Sequence, residues 1–123
     1  MTIIEAINRI DVLKPNGYKQ AEKVAWLSAF DGDVKMNIID THEGSGSVRF
    51  SGYGEDTPLT TDLLISAPYD EVYLFLLEAK IDYYDREFEK YNNAMAMFNT
   101  AYAEYEAYYN RTHMPAGKKC FLF

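Results

Sequence analysis

The chain has 123 residues, of which 48% are hydrophobic and 25% charged, which fits one domain with a buried core and excludes a chain too polar to fold. Its 12 basic and 19 acidic side chains leave a formal charge of -7. That balance excludes phosphate neutralisation as the source of affinity, so neither a nucleic-acid grip nor adhesion to an anionic membrane is expected.

Thr2-Ile3-Ile4-Glu5 is a capping box, in which the Thr2 hydroxyl and the Glu5 carboxylate each satisfy a backbone N–H that a helix start leaves orphaned. A short helix is predicted over residues 2 to 13, with Ile3, Ile7 and Ile10 on one face. Pro15-Asn16-Gly17 then turns the chain. A second helix follows over roughly residues 19 to 41, striped by Val24, Leu27, Phe30, Val34 and Ile38. Asp31-Gly32-Asp33 interrupts it, and Gly32 admits a bend or break there.

Residues 43 to 68 differ in texture. Glu43-Gly44-Ser45-Gly46-Ser47 is polar and glycine-rich, while Val48-Arg49-Phe50-Ser51 alternates as a half-buried strand would. Gly52-Tyr53-Gly54-Glu55-Asp56 reads as a turn, and Leu63-Leu64-Ile65 as a return strand. A small β-hairpin or ordered loop is therefore expected between helices. Pro68 suits the first position of the next helix.

From Tyr69 to about Arg111 the pattern is strongly helical. Leu74, Leu77, Ile81, Tyr84, Phe88, Tyr91, Met95, Phe98, Tyr102, Tyr105 and Tyr109 step three and four without losing phase. Unbroken phase favours one helix of about 40 residues, about 60 Å long. A helical hairpin broken between Asp82 and Asn93 is the alternative. Nine of the eleven tyrosines fall between Tyr69 and Tyr109. Met114-Pro115-Ala116-Gly117 ends the helix, and Lys118-Lys119-Cys120-Phe121-Leu122-Phe123 follows. So apolar a run calls for cover, from the core or from another chain.

The expected fold is thus mainly α: a small helical bundle with a long C-terminal helix or helical hairpin and a short β-hairpin or loop insertion. Residues 1 to 111 form one domain, with 43 to 68 inserted, and residues 112 to 123 form a docking tail.

Little in the sequence carries catalysis, and no enzyme, cofactor or metal site is expected. Glu78, Asp82, Asp85 and Glu89 step along one helix flank, but the Glu-x-x-His pairs of a helical di-metal site do not occur. A solvated acidic flank is the preferred reading. His42 and His113 lie at predicted helix ends, where a cation or ring N–H caps carbonyls. The glycine pairs at 44 and 46 and at 52 and 54 lack the lysine and Ser/Thr of a phosphate loop. Asp31-Gly32-Asp33 lacks calcium-loop spacing, and Asn110-Arg111-Thr112 is a glycosylation sequon with no secretion signal before it. Cys120 stands alone, which fits a reducing compartment. No run reaches the ~18 apolar residues of a bilayer span. The tyrosine seam is the strongest feature, either as the domain's own core or as a subunit interface through Tyr102, Tyr105, Tyr108 and Tyr109.

Three segments carry a resemblance. They are Glu78-Ala-x-Ile81-Asp82-Tyr83, then Tyr91-Asn92-Asn93-Ala-Met95-Ala-Met97-Phe98-Asn99, then Tyr109-Asn110-Arg111-Thr112-His113-Met114-Pro115. The opening Asn8-Arg9-Ile10-Asp11-x-Leu13-Lys14-Pro15-Asn16 and the stretch from Trp26-Leu27-Ser28 to Ile39-Asp40-Thr41-His42 belong with them. Together they resemble the head–tail connector, or head-completion adaptor, proteins of tailed phages and prophages of Gram-positive bacteria. The longer 43-to-68 segment departs from the better characterised connectors.

The resemblance implies a non-enzymatic ring of about a dozen identical subunits built on the portal protein, first in the host cytoplasm and then in the virion at the head–tail junction. It implies that DNA passes through without specific binding, that the next connector or tail component docks on the ring, and that no membrane is involved. It also implies that the tail, through Lys118, Lys119, Phe121, Leu122 and Phe123, reaches the portal. Arg49, Tyr53, Glu55 and Asp56 in the insertion are the candidate contacts with the channel or the next component. A negative channel would repel the DNA backbone and let it slide. The second hypothesis is a small cytoplasmic helical binding module that dimerises through the tyrosine seam.

Overall fold

The structure is a computed structural model and describes residues 1–115. Four helices make a bundle: α1 (Ile3–Leu13), α2 (Gln20–Asn37), α3 (Val72–Tyr84) and α4 (Phe88–Thr112). Two short 3-10 turns, Ile39–Thr41 and Ser45–Ser47, follow α2.

The capping box forms as its residues predict. The Glu5 N–H donates to Thr2 Oγ1 at 3.2 Å, and the Thr2 N–H donates to Glu5 Oε1 at 2.8 Å. Ile3, Ala6, Ile7 and Ile10 bury one face of α1. Helix α2 runs through Asp31-Gly32-Asp33 without a break. Glycine costs a helix interior about 1 kcal/mol relative to alanine. Here burial of Leu27, Phe30, Asp31 and Val34 around Gly32 outweighs that cost. A Cβ at Gly32 would stand 3.7 Å from the Phe50 ring, so the inserted segment packs over this turn of α2.

A single C-terminal helix does not form; the hairpin alternative does. Helix α3 ends at Tyr84 and α4 begins at Phe88. The Arg86 N–H donates to the Tyr83 carbonyl at 3.1 Å and the Glu87 N–H to the Asp82 carbonyl at 2.9 Å. That pair of bonds is a Schellman ending, and Arg86 takes the left-handed conformation it needs, at φ 63°. The three-residue link places Phe88 four positions after Tyr84, the same step a continuous helix would give. Phase therefore could not separate the two. Helix α3 also begins at Val72, past a turn, rather than at Pro68.

Of the two forms expected for the insertion, the ordered loop forms and the β-hairpin does not: among the described residues the only bridges are the isolated pairs Thr2 with Asp62 and His42 with Pro115. Val48–Ser51 and Leu63–Ile65 do not pair. Residues 59 to 63 instead serve the start of α1. The Ile3 N–H donates to the Thr61 carbonyl at 3.0 Å and the Ile4 N–H to the Leu59 carbonyl at 2.9 Å. These are N–H groups that a helix start leaves without intrahelical partners. Leu63 and Ile65 bury their side chains in the core beside Tyr73 and Leu77. The alternation of the segment reflects burial, but its backbone is committed to helix ends and to a buried carboxylate.

Candidate functional site

Asp31 organises the interior. It faces away from water entirely (0% exposed) at the meeting of α2, α3 and the inserted segment. Its carboxylate accepts the Tyr53 hydroxyl at 2.5 Å, the Tyr73 hydroxyl at 2.6 Å and the Leu64 N–H at 3.1 Å. The Tyr73 hydroxyl in turn accepts the Ile65 N–H at 2.8 Å. Burial raises the Asp31 carboxyl above the usual carboxylate range, opposed by those three donors. Burial and the adjacent Asp31 push the Tyr53 and Tyr73 hydroxyls far above the ordinary tyrosine value. A carboxylate closed to water and saturated by protein donors ties elements together rather than attacking a substrate.

The surface has two unlike poles. One surrounds the α3–α4 turn. Tyr83, Tyr84 and Phe88 are there 49%, 51% and 53% exposed. Tyr84 stacks on Trp26, with ring centroids 5.6 Å apart and planes within 7°. Tyr18 meets the Trp26 ring edge-on, and its hydroxyl donates to Asp85 at 2.7 Å, a bond that pushes Tyr18 up to about 12. Tyr83 packs beside Phe88 and Tyr91. A groove of about 440 Å³ opens next to them, lined by Leu76, Lys80, Tyr91, Met95 and Phe98. Exposed Leu13 lies along a separate groove between α1 and α3, with Leu74, Phe75 and Glu78.

Asp82 corrects the acidic-flank expectation: it is buried, and Lys14 holds it. Asp85 and Glu89 do lie exposed at this pole, with no cation within ion-pair distance among the described residues.

The other pole is the C-terminal end of α4. His42 is buried, with Nδ1 2.6 Å from the Ile38 carbonyl and Nε2 2.8 Å from Asn110 Oδ1. His113 lies flat on Tyr109, ring centroids 3.8 Å apart. The Glu43 N–H donates to the Met114 carbonyl at 2.7 Å. These contacts fix the end of the described chain, where Pro115 bridges His42.

The residues singled out from sequence scatter. Tyr105 and Tyr109 are buried in the chain's own core and offer no face to a neighbour, which corrects their assignment to a subunit interface. Tyr102 is half-buried against Phe30 and Phe98, and Tyr108 half-buried against Tyr69. Tyr53 is half-buried: its hydroxyl donates to Asp31, and it lines one groove with Glu55. Arg49, Glu55 and Asp56 are exposed, but Arg49 and Glu55 line separate grooves. Lys118, Lys119, Phe121, Leu122 and Phe123 lie outside the described residues. The aromatic pole is not legible in the sequence, because Tyr84 and Phe88 continue the apolar seam there and only the turn brings them to the surface.

Among the described residues no cluster of three or more His, Cys, Asp or Glu could hold a metal ion, and no helix is long and apolar enough to cross a membrane. No protein-family model, curated protein or solved structure matches the chain.

Proposed function

We propose that this chain is a structural adaptor that assembles as a ring on a phage portal, extends the DNA channel and joins head to tail. The observation that carries this reading is the pair of unlike poles. A closed ring of identical subunits is a heterologous assembly, in which each subunit offers two different complementary surfaces. An aromatic end at the α3–α4 turn and a separate end built around His42, Asn110 and Pro115 meet that need. A symmetric dimer through the tyrosine seam is less well served, because Tyr105 and Tyr109 are already buried. The excess of 19 acidic over 12 basic side chains suits a channel that DNA slides through. The sequence resemblance to connector proteins gives the reading its biological setting.

The test is co-sedimentation of the purified chain with a purified portal ring from the same genome, with negative-stain images of the product. A saturating ring of copies on one end of the portal is expected. No association at concentrations well above micromolar overturns the adaptor reading.

A further inference from the structure

We propose that residues 118–123 of one copy dock on the aromatic pole of a second copy, against Tyr83, Phe88 and the groove between α3 and α4. This rests on the ring reading and deepens it: the tail is assigned to the neighbouring subunit, and the contact is the one that links subunits head to tail.

Three observations select this occupant. The first is reach. Helix α4 has 25 residues, about 37 Å at 1.5 Å per residue, and the described chain ends at its far end, where Pro115 bridges His42. Eight residues from Pro115 to Phe123 extend about 27 Å at most. The tail therefore falls short of Phe88 in its own chain; the Phe98 end of the groove, about 21 Å along α4 from Thr112, is within its span, so it is the Tyr83–Phe88 end of the site that only a second copy can fill.

The second is charge. The tail presents Lys118 and Lys119 directly before its apolar residues. The turn presents Asp85, Glu87 and Glu89 beside Tyr83 and Phe88; among the described residues Lys90 pairs with Glu87, Arg86 lies exposed between them and Lys80 lines the groove, which leaves Asp85 and Glu89 as the carboxylates with no cation within ion-pair distance. The third is chemistry. Phe121, Leu122 and Phe123 need apolar cover. Three of the eight large apolar side chains exposed among the described residues, Tyr83, Tyr84 and Phe88, lie at this pole. Aromatic side chains flanking a groove are the usual anchors of a docked segment.

The test needs no portal, so its failure is separable from failure of the ring reading. Sedimentation of the full chain under reducing conditions, which keep Cys120 from cross-linking, should show association that grows with concentration. A chain lacking residues 116–123 and a full-length Phe88→Asp variant should each be monomeric, with unchanged helical circular dichroism. Phe88 is half-exposed and opens α4, where an aspartate suits the helix dipole, so the variant should fold; Tyr83→Ser is the second variant.

Mixing the truncated chain with Phe88→Asp should restore a one-to-one complex, because one supplies the pole and the other the tail. A synthetic peptide of residues 116–123 should shift the emission of Trp26, the single tryptophan, in the truncated chain, and Phe88→Asp in that chain should weaken binding about tenfold or more. Association that survives truncation, unfolding on truncation, a mixture that stays monomeric, or peptide binding indifferent to both pole variants would each overturn the proposal.

Discussion

The Asp31 carboxylate and the Tyr73 hydroxyl, 42 positions apart in sequence, lie 2.6 Å apart with both side chains fully closed to water. The pair joins α2 to α3, and through the Ile65 N–H and the Tyr53 hydroxyl it also holds both ends of the 53-to-65 segment. An irregular loop lacking strand partners must satisfy its backbone elsewhere, and here a buried carboxylate collects the task.

Tyr73→Phe should therefore cost more than Tyr53→Phe. Removing the Tyr73 hydroxyl orphans the Ile65 N–H and takes one donor from Asp31, both buried. Removing the Tyr53 hydroxyl takes one donor only. Losses of about 3 and about 1 kcal/mol are expected. Urea unfolding at neutral pH measures both, and equal losses would show that the Ile65 bond contributes nothing.

Asp31 also sets a pH dependence. Its carboxyl value is raised in the folded state, so the folded chain binds that proton more tightly than the unfolded chain. The group's contribution to stability is then fully present below the ordinary value of 3.8 and is lost as pH rises through the raised value. Asp31→Asn removes this one dependence and leaves the other groups alike in both proteins. The stability of the variant relative to the parent should rise as pH increases from about 4 to 7. Paired urea titrations across that range check the sign, and a relative stability that falls would mean the three donors outweigh burial.

The sequence shows its helices far better than the connections between them. The capping box and the Ile3, Ile7, Ile10 stripe predict α1 nearly to the residue, since both signals are local. The α3–α4 turn is invisible for two reasons. Its Schellman ending uses Arg86 where glycine is usual, and its length preserves the three–four count. The alternation at 48–51 marks the half-burial of Val48 and Phe50, and the apolar run at 63–65 marks the burial of Leu63 and Ile65. Neither marks pairing, because nothing local shows that Leu64 donates to a residue 33 positions earlier. The aromatic pole is hidden for the same reason as the turn that creates it.

Arg86 offers a stabilising change. A non-glycine residue at φ 63° carries a conformational penalty that glycine does not. Arg86 is exposed, and its guanidinium forms no ion pair among the described residues. Arg86→Gly should raise stability by about 1 kcal/mol. A raised urea midpoint with an unchanged slope is the expected result. A lowered midpoint would show that the wider freedom of glycine in the unfolded chain dominates.

The tyrosine seam should behave as core. Phe98 packs edge-on against Phe30, which is itself buried against Tyr73. Phe98→Asp would place a carboxylate at that junction and should destabilise the fold by several kcal/mol rather than yield a folded monomer. Circular dichroism separates the outcomes, since a fully helical, well-folded Phe98→Asp chain would return the seam to the surface.

Lys14 and Asp82 form the sharpest electrostatic constraint. Asp82 is 1% exposed, and among the described residues its only close cation is the Lys14 ammonium at 2.6 Å. That contact is close but poorly aligned as a hydrogen bond, and among the described residues neither Asp82 oxygen has another partner. Such a pair gains from charge attraction and loses from the dehydration of both groups, so its net worth is small while the cost of breaking it is large. Lys14→Met should therefore cost about 3 kcal/mol, because it leaves a buried carboxylate alone. The double change Lys14→Met with Asp82→Leu should recover most of that loss. A urea double-mutant cycle reads both numbers. If Lys14→Met alone is neutral, then water reaches Asp82 once the lysine is gone, and the end of α3 is looser than its burial implies.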